Sequence, residues 1–139
     1  MREVIRARGH EHGAATHEST FEVTTDDWLT PAGDCIVGID ADRAPADFDD
    51  DFVAACRDPG ATITLTLALD DGASHHRVRA HGHPDLTFGS ERSAVVRTST
   101  YVDDRTVGVG ADAAAADLDR DLVAALADGA GVTLTLTVE

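Results

Sequence analysis

The sequence predicts a mainly β domain of the α+β class, in which a duplicated unit closes into a pseudo-twofold β-barrel or β-sandwich with two covering helices. Three observations predict this fold. A stretch in the first half recurs in the second, each copy contains an amphipathic helix pattern, and an alternating strand pattern follows each helix. At 139 residues the chain has room for one domain, 1–139, with repeats of approximately 1–70 and 71–139.

The repeat is clearest at the centre of each half. The stretch "VGIDADRAPADFDDDFVAACRD" (37–58) matches "VGVGADAAAADLDRDLVAALAD" (107–128) at more than half of its positions, always 70 residues apart. A bias toward Ala and Asp produces part of such a match. The strands that follow also correspond after a one-residue slip, "ITLTLAL" (63–69) with "VTLTLTV" (132–138), so we expect a duplicated unit.

Each half is expected to begin with strands. "RARGHEH" (6–12) and "RVRAHGH" (77–83) share the pattern Arg-x-Arg-x-His-x-His, whose alternation suits a strand with those four side chains on one face. "STFEVTT" (19–25) and "SAVVRTSTYV" (93–102) are rich in strand-forming residues. The expected order is strand, strand, strand, helix, strand, twice over.

The helix of each half is predicted from apolar residues at spacings of four, one and three, which form one stripe on a helix. Asp47 and Asp117 lie where N-caps belong, and Pro59-Gly60 and Gly129 are expected to end the helices. The stripes consist of Phe48, Phe52, Val53 and Cys56 in the first half, and Leu118, Leu122, Val123 and Leu126 in the second.

The charge balance favours adaptation to a cytoplasm that contains molar salt. Asp and Glu number 26 against 11 Lys and Arg, the net charge is −15, and the chain contains no lysine. At about 1 M salt the Debye length is only about 3 Å, so an acidic coat would maintain hydration without attracting partners over distance. The absence of lysine excludes P-loop and Schiff-base chemistry.

The predicted location is the cytoplasm, in a soluble form without a membrane partner. "MREVIRARGH" has no apolar core of a signal peptide, and no stretch approaches the roughly 20 apolar residues of a membrane span. Cys35 and Cys56 lie far apart without CxxC spacing, which argues against a disulfide or a zinc knuckle.

The two Arg/His stretches are the anomaly of this acidic chain, and three interpretations are open. The arginines pair with nearby acids on a solvated sheet face. Alternatively, the two strands meet and their guanidinium groups, among them Arg8 and Arg79, bind a phosphate or carboxylate, with Arg92, Arg97 and Arg105 extending the surface toward a nucleotide or RNA. Thirdly, the histidines, with His17 and Glu18 downstream, hold zinc or iron.

The cysteines are expected to be structural. Cys56 occupies a position where the second repeat has Leu126, which is typical of a small core residue. Cys35 follows Asp34 at a junction between turn and strand, and its repeat partner is Arg105. A nucleophilic thiol there would need a neighbouring base or cation, which His17 or Arg105 could supply.

The chain resembles the archaeal domain-of-unknown-function family numbered 371. The resemblance rests on "ATHESTFE" and "LTPAGDCIVGI", with "GHPDLTF" and "VVRTSTYVDDRTVGVGADAAAADLDRDLV" extending it over nearly the whole chain. It implies an archaeal origin, a mainly β single domain and no established activity. The family pattern has Asn where this chain has His12 and does not feature His81; its shared motifs include His10, Glu11, His17, Thr20, Asp34, Cys35, His83, Arg97 and Arg105.

These observations favour a binding module with a polar cleft between the repeats for an anionic ligand, which is a nucleotide, a phosphorylated metabolite or RNA. The residues assigned to that cleft are Arg97, Arg105, Asp34, Arg8 and Arg79. One alternative is a metal- or Cys/His-dependent enzyme such as a hydrolase, with Cys35 or a metal-bound water as nucleophile, His17 or His83 as base, and His10, His17 and His83 as metal ligands. A protein-interaction module is the third hypothesis. Neither a cofactor nor an oligomeric state is predicted.

Overall fold

The computed structural model describes residues 1–30 and 32–139, which form two four-stranded sheets and two short α-helices. This confirms the predicted mainly β, α+β class. Short 3₁₀ turns at Pro45–Asp47 and Ala115–Asp117 precede the helices. The elements are β1 (Arg2–Arg8), β2 (Thr20–Thr24), β3 (Ile36–Gly38), α1 (Asp50–Cys56), β4 (Thr62–Leu69), β5 (His75–His81), β6 (Ser93–Arg97), β7 (Thr106–Gly108), α2 (Arg120–Ala127) and β8 (Gly131–Val138).

Sheet A is antiparallel, with the strand order β1-β8-β4-β5. Its two central strands alternate between leucine-rich positions that are buried and threonines that are partly exposed. Because successive side chains of a strand point to opposite faces, the leucines face the core and the threonines face outward. The alternation read from the sequence is therefore confirmed.

Sheet B is mixed, with the order β3-β2-β6-β7. Its central strands β2 and β6 are antiparallel to each other. The short outer strand β3 is parallel to its neighbour β2, and β7 is parallel to its neighbour β6. Phe21, Val23, Ala94 and Val96 face the same hydrophobic core as the leucines of sheet A. The arrangement is a sandwich of two sheets around one core.

The two sheets are joined where their edge strands end. The backbones of Arg8 and Ile39 exchange hydrogen bonds of 3.0 and 2.7 Å, and those of His81 and Val109 exchange bonds of 2.7 and 3.1 Å. Asp42 then pairs with the outer edge of β1 at Arg6, and Asp112 with that of β5 at Arg79. These loops cover edges that would otherwise present unpaired backbone groups.

Both predicted helices are present, but their N-caps are not the predicted residues. Asp49 and Asp119 cap α1 and α2 by accepting from the N–H two residues onward, at 2.8 and 2.9 Å. Asp47 and Asp117, the predicted caps, instead close the preceding 3₁₀ turns. The apolar stripe continues through such a turn, so the helix begins two residues later than the stripe predicts.

The same order of elements occurs in residues 1–70 and in residues 71–139. Exchanging β1, β2, β3 and β4 for β5, β6, β7 and β8 leaves the strand order of each sheet unchanged. Duplication itself stays a prediction. Within the described residues, no helix has the length and apolar character needed to cross a membrane.

Candidate functional site

The two Arg/His stretches lie at opposite edges of sheet A, because β8 and β4 separate β1 from β5. The expectation that these strands meet is therefore wrong. The strands also stop before the motif does: β1 ends at Arg8 and β5 at His81, so His10, His12 and His83 lie in loops rather than on a strand face.

Close backbone contacts explain why the strands end there. A Cβ atom on Gly9 would collide with the carbonyl of Leu126 at the end of α2, and one on Gly82 with the carbonyl oxygens of Cys56 and Asp58 at the end of α1. His83 continues this contact, since its N–H donates to the Cys56 carbonyl at 3.1 Å. The glycines let the chain leave the sheet and pass a helix end.

The histidines proposed as metal ligands use the same ring nitrogen for local hydrogen bonds. Nδ1 of His10 accepts from the N–H of His12 at 3.1 Å, Nδ1 of His17 from Thr20 at 3.1 Å, and Nδ1 of His83 from Asp85 at 3.0 Å. A neutral imidazole that accepts at Nδ1 carries its proton on Nε2, which then has no lone pair for a metal or for general-base catalysis.

The described residues contain no group of three or more His, Cys, Asp or Glu side chains that could hold a metal ion. The donor chemistry agrees. Coordination through Nε2 would require the proton to move from Nε2 to Nδ1, and this would break the local hydrogen bond that Nδ1 accepts. The metal interpretation stays a prediction to which this arrangement adds no support.

Cys35 lies immediately before β3, beside acidic and hydroxyl groups of β2. Its Sγ lies 3.9 Å from Oε1 of Glu22, and its carbonyl accepts from the Glu22 N–H at 2.8 Å. Burial, followed by the negative charge of Glu22, raises the pKa of the Cys35 thiol, while a hydrogen bond with Thr20 acts in the opposite direction. The thiol is thus held in its protonated form, which is the reverse of what a cysteine nucleophile requires.

Residues near Cys35 belong to the outer side of sheet B. His17 reaches the Thr20 hydroxyl at 3.1 Å, and the Asp34 carbonyl accepts from the His17 N–H at 3.2 Å.

Cys56, by contrast, is fully buried in the core, where burial raises the pKa of its thiol to about 12.

Arg97 and Arg105 share one carboxylate, that of Asp103. Arg97 donates to Asp103 at 3.0 Å and to the Thr106 hydroxyl at 2.9 Å, with its guanidinium over the Tyr101 ring. Arg105 also donates to Asp103 at 3.0 Å and lies 3.9 Å from Glu22. These two arginines already have anionic partners within the protein, so they are poorly placed to bind an external anion.

Sheet A carries a different polar surface, which the sequence argument missed. Its outward side chains form a strip of threonines on β4 and β8 between arginines on β1 and β5. The alternating threonines predict a buried face on the other side of each strand, and they also define the exposed face. We call this surface the threonine–arginine face; it consists of Arg2, Arg6, Thr62, Thr64, Thr66, Arg77, Arg79, Thr133, Thr135 and Thr137.

The register sets the rows of this face. Arg2, Thr137, Thr64 and Arg79 lie side by side across the four strands, so one row has a guanidinium at each end. Neighbouring strands are about 4.8 Å apart, which places the two edge strands about 14 Å apart. An open depression of about 820 Å³ lies on the β5 side of the face and is bordered by Arg77, Arg79 and His81 among others.

The arginines of this face differ from the others in having no ion-pair or hydrogen-bond partner for their side chains among the described residues. Arg8 also points outward from β1 but pairs with Asp40; elsewhere Arg43, Arg92, Arg97 and Arg105 pair with acids, and Arg57 and Arg120 donate to carbonyl groups. Arg2, Arg6, Arg77 and Arg79 are exposed and retain their donors for another molecule. Of the predicted anion-site residues, only Arg79 belongs to this set, because Arg8 is bound to Asp40 at 3.2 Å.

The fold and this surface define a two-sheet α+β domain with an exposed, arginine-bordered sheet face. The chain belongs to the family described as a domain of unknown function (DUF371), whose model matches residues 5–139. It is 35% identical over 129 residues to the uncharacterized protein MJ0206 of Methanocaldococcus jannaschii, covering 93% of each chain. The family resemblance found in the sequence is thereby confirmed, and the relative is archaeal.

Proposed function

We propose that this protein is a binding module whose threonine–arginine face takes an anionic ligand. The observation that supports the proposal is the position of four arginines whose side chains have no partner among the described residues, all on one sheet face of a chain with a net charge of −15. An acidic chain has enough carboxylates to neutralise its arginines, as it does on sheet B. Four exposed guanidinium groups on a single face are suited to a ligand that supplies the missing oxygen atoms.

Hydrogen bonding, rather than a long-range field, would provide the affinity. The carboxylates of Asp42 and Asp112 lie at the two edges of the face. Each accepts from a backbone N–H, that of Arg6 and that of Arg79 respectively. Asp70 binds the Thr133 hydroxyl at 2.9 Å, and Glu139 borders the depression beside Thr62. These acids nearly cancel the local positive charge, so bidentate contacts at short range must select the ligand.

The proposed site therefore differs from the one predicted from the sequence, whose residues are divided between sheet A (Arg8 and Arg79) and the region of sheet B (Asp34, Arg97 and Arg105). Arg79 is retained, while Arg97 and Arg105 become structural residues that hold Asp103. The four strands of the face come from both halves of the chain, which agrees with a site between the repeats.

The test is binding of a fluorescently labelled inorganic polyphosphate, measured by anisotropy. We expect Arg77→Gln/Arg79→Gln to weaken binding by about 1 to 3 kcal/mol for each arginine that contacts the ligand. The matched control is Arg57→Gln/Arg92→Gln, which removes the same charge from residues outside sheet A and should leave the affinity nearly unchanged. Equal losses in the two double variants would contradict the proposal.

We also propose that the domain arose by duplication and that it works in a salt-rich cytoplasm. Left-handed backbone at Ala15 and Phe88, and again at Asp40 and Gly110, supports duplication, because these pairs occupy corresponding places in the two halves. The excess of acidic residues supports the salt-rich setting. Two free cysteines agree with a reducing compartment.

A further inference from the structure

We propose that the occupant of the threonine–arginine face is double-stranded RNA, bound along its minor groove. This inference rests on the proposed function and names the ligand class for the same site. It depends on the groups that the face presents, on the groups that it lacks, and on the spacing of the arginines on its two edge strands.

The face offers hydroxyl groups in the middle and guanidinium groups at the sides. Six threonines lie on β4 and β8, and only Thr133 among them uses its hydroxyl in a side-chain hydrogen bond within the described residues. The minor groove of A-form RNA is wide and shallow and displays 2′-hydroxyl groups, with phosphates along both rims. The pattern of the protein surface is complementary to that of the groove.

The face lacks the aromatic platform that single-stranded nucleic acid requires. Proteins that bind single strands stack bases on aromatic side chains. The outward positions of sheet A hold Thr, Arg, Val, Ala, Gly and His but no Phe, Tyr or Trp in the described strands, and the exposed residues Trp28 and Tyr101 lie outside them. A ligand that presents its backbone, rather than unstacked bases, is therefore favoured.

The spacing of the arginines favours a duplex over a small phosphate. Arg2 and Arg79 end one row, about 14 Å apart at the backbone, and Arg77 lies two residues from Arg79, about 6.7 Å along β5. One small phosphate compound would contact guanidinium groups on one edge only. Two phosphate strands on either side of a shallow groove can contact both edges at once, with ribose hydroxyls above the threonines.

The acidic residues around the face restrict where a phosphate backbone can lie. Carboxylates at the margins, Asp42, Asp70, Asp112 and Glu139, repel phosphates that do not lie directly on the arginines. With four arginines in contact, the logarithm of affinity should fall with the logarithm of salt concentration with a slope of no more than about three to four, and the hydroxyl contacts must supply the binding that remains at high salt.

The experiment compares four labelled probes with the full-length protein at about 0.1 M salt, where screening is moderate. The probes are an RNA duplex of about 20 base pairs, the DNA duplex of the same sequence, single-stranded RNA of the same sequence, and inorganic polyphosphate. The length of the duplex exceeds the roughly 16 base pairs that a compact duplex-binding domain spans. We expect the RNA duplex to bind at least tenfold more tightly than the DNA duplex or the single strand. Arg77→Gln/Arg79→Gln should reduce the affinity for the RNA duplex by tenfold or more, and Arg57→Gln/Arg92→Gln should not.

A second double variant tests the hydroxyl contacts separately from folding. Thr64→Val/Thr137→Val keeps β-branched side chains in the strands and should reduce the preference for RNA over DNA several-fold, with little effect on binding to DNA. Circular dichroism verifies that each variant is folded.

The outcomes separate the ligand class from the proposed function. Equal binding of RNA and DNA duplexes, or tighter binding of the single strand, would overturn the assignment to duplex RNA, and arginine-dependent polyphosphate binding would then preserve the anion-binding function. Failure of all four probes to bind would overturn both. A preference for duplex RNA that is lost in the arginine double variant and kept in its control would support both.

Discussion

Asp103→Asn is expected to destabilise the protein because Asp103 fixes the loop between β6 and β7. Its carboxylate accepts from Arg97 of β6, from Arg105 in the loop and from the Thr106 hydroxyl of β7, and it therefore joins both strands to the loop between them. The amide of Asn can keep part of this hydrogen bonding, but it removes the negative charge that the two guanidinium groups share.

The magnitude follows from the pKa of Asp103. Partial burial raises this pKa, but hydrogen bonds from Arg105 and Thr106 and the charge of Arg97 outweigh it and lower the pKa from its ordinary value of 3.8 to about 2. That difference corresponds to at most about 2.5 kcal/mol. Because 22% of the Asp103 side chain and 45% of the Arg105 side chain are exposed, solvent screening reduces the expected contribution to about 1 kcal/mol.

The pH dependence has a definite sign. The folded-state pKa lies below the unfolded value, so the stabilisation is fully present at neutral pH and is lost as the pH falls from about 4 to about 2. Asp103→Asn should therefore lower the free energy of unfolding at pH 7 and make little difference near pH 2.

The assay is urea unfolding followed by circular dichroism at pH 7 and at about pH 2, at one salt concentration. Asp104→Asn is the control, since it removes a charge from the adjacent exposed residue. If the two variants had the same free energy of unfolding at pH 7, or if Asp103→Asn lost equal stability at both pH values, the reasoning would be refuted.

Three further predictions concern packing, the thiols and salt. Gly82→Ala should lower the free energy of unfolding by about 1 to 3 kcal/mol, because the added Cβ meets the end of α1. The control Gly89→Ala, whose Cβ would have its nearest atoms at 3.4 and 3.6 Å, should change the free energy of unfolding by no more than about 0.5 kcal/mol. Urea titration compares the two variants, and equal losses would contradict the packing argument. Iodoacetamide should modify Cys35 several-fold more slowly than free cysteine at neutral pH, because burial and Glu22 raise the pKa of its thiol, and buried Cys56 should not react. Mass spectrometry measures the modification of both residues, and a Cys35 rate equal to that of free cysteine would argue against a protonated thiol. Raising KCl from about 0.1 M to about 1 M should raise Tm, because screening weakens repulsion within a chain of net charge −15; a flat or falling Tm in calorimetry would count against the salt-adaptation hypothesis.

Local patterns were sufficient to predict most elements of the fold. The alternation in "ITLTLAL" and "VTLTLTV" reports one buried face directly, and these segments form the centre of sheet A. The stripe that contains Phe52 and Leu122 likewise identifies both helices. The ends of the elements were harder to predict, because β1 and β5 stop where Gly9 and Gly82 pass helix ends that are distant in sequence.

The candidate site depended on pairings that no local pattern contains. Arg97 and Arg105 both pair with Asp103, whereas the side chains of Arg77 and Arg79 have no partner among the described residues. Which arginine meets an acid is decided by strand order and loop path. The repeat in the sequence indicated two related halves, but it did not indicate that their basic stretches would occupy opposite edges of one sheet.

The strand order of sheet A also constrains how the chain acquires its structure during synthesis. The last strand, β8, lies between β1 and β4, and it is the hydrogen-bonded neighbour of both. A nascent chain that has emerged only as far as α2 therefore holds its first strand without a partner in this sheet. Since the ribosome covers the most recent residues, sheet A can close only after β8 has emerged from the ribosome. The segment Gly131–Val138 therefore completes sheet A, and without it β1 would be separated from the β4–β5 pair.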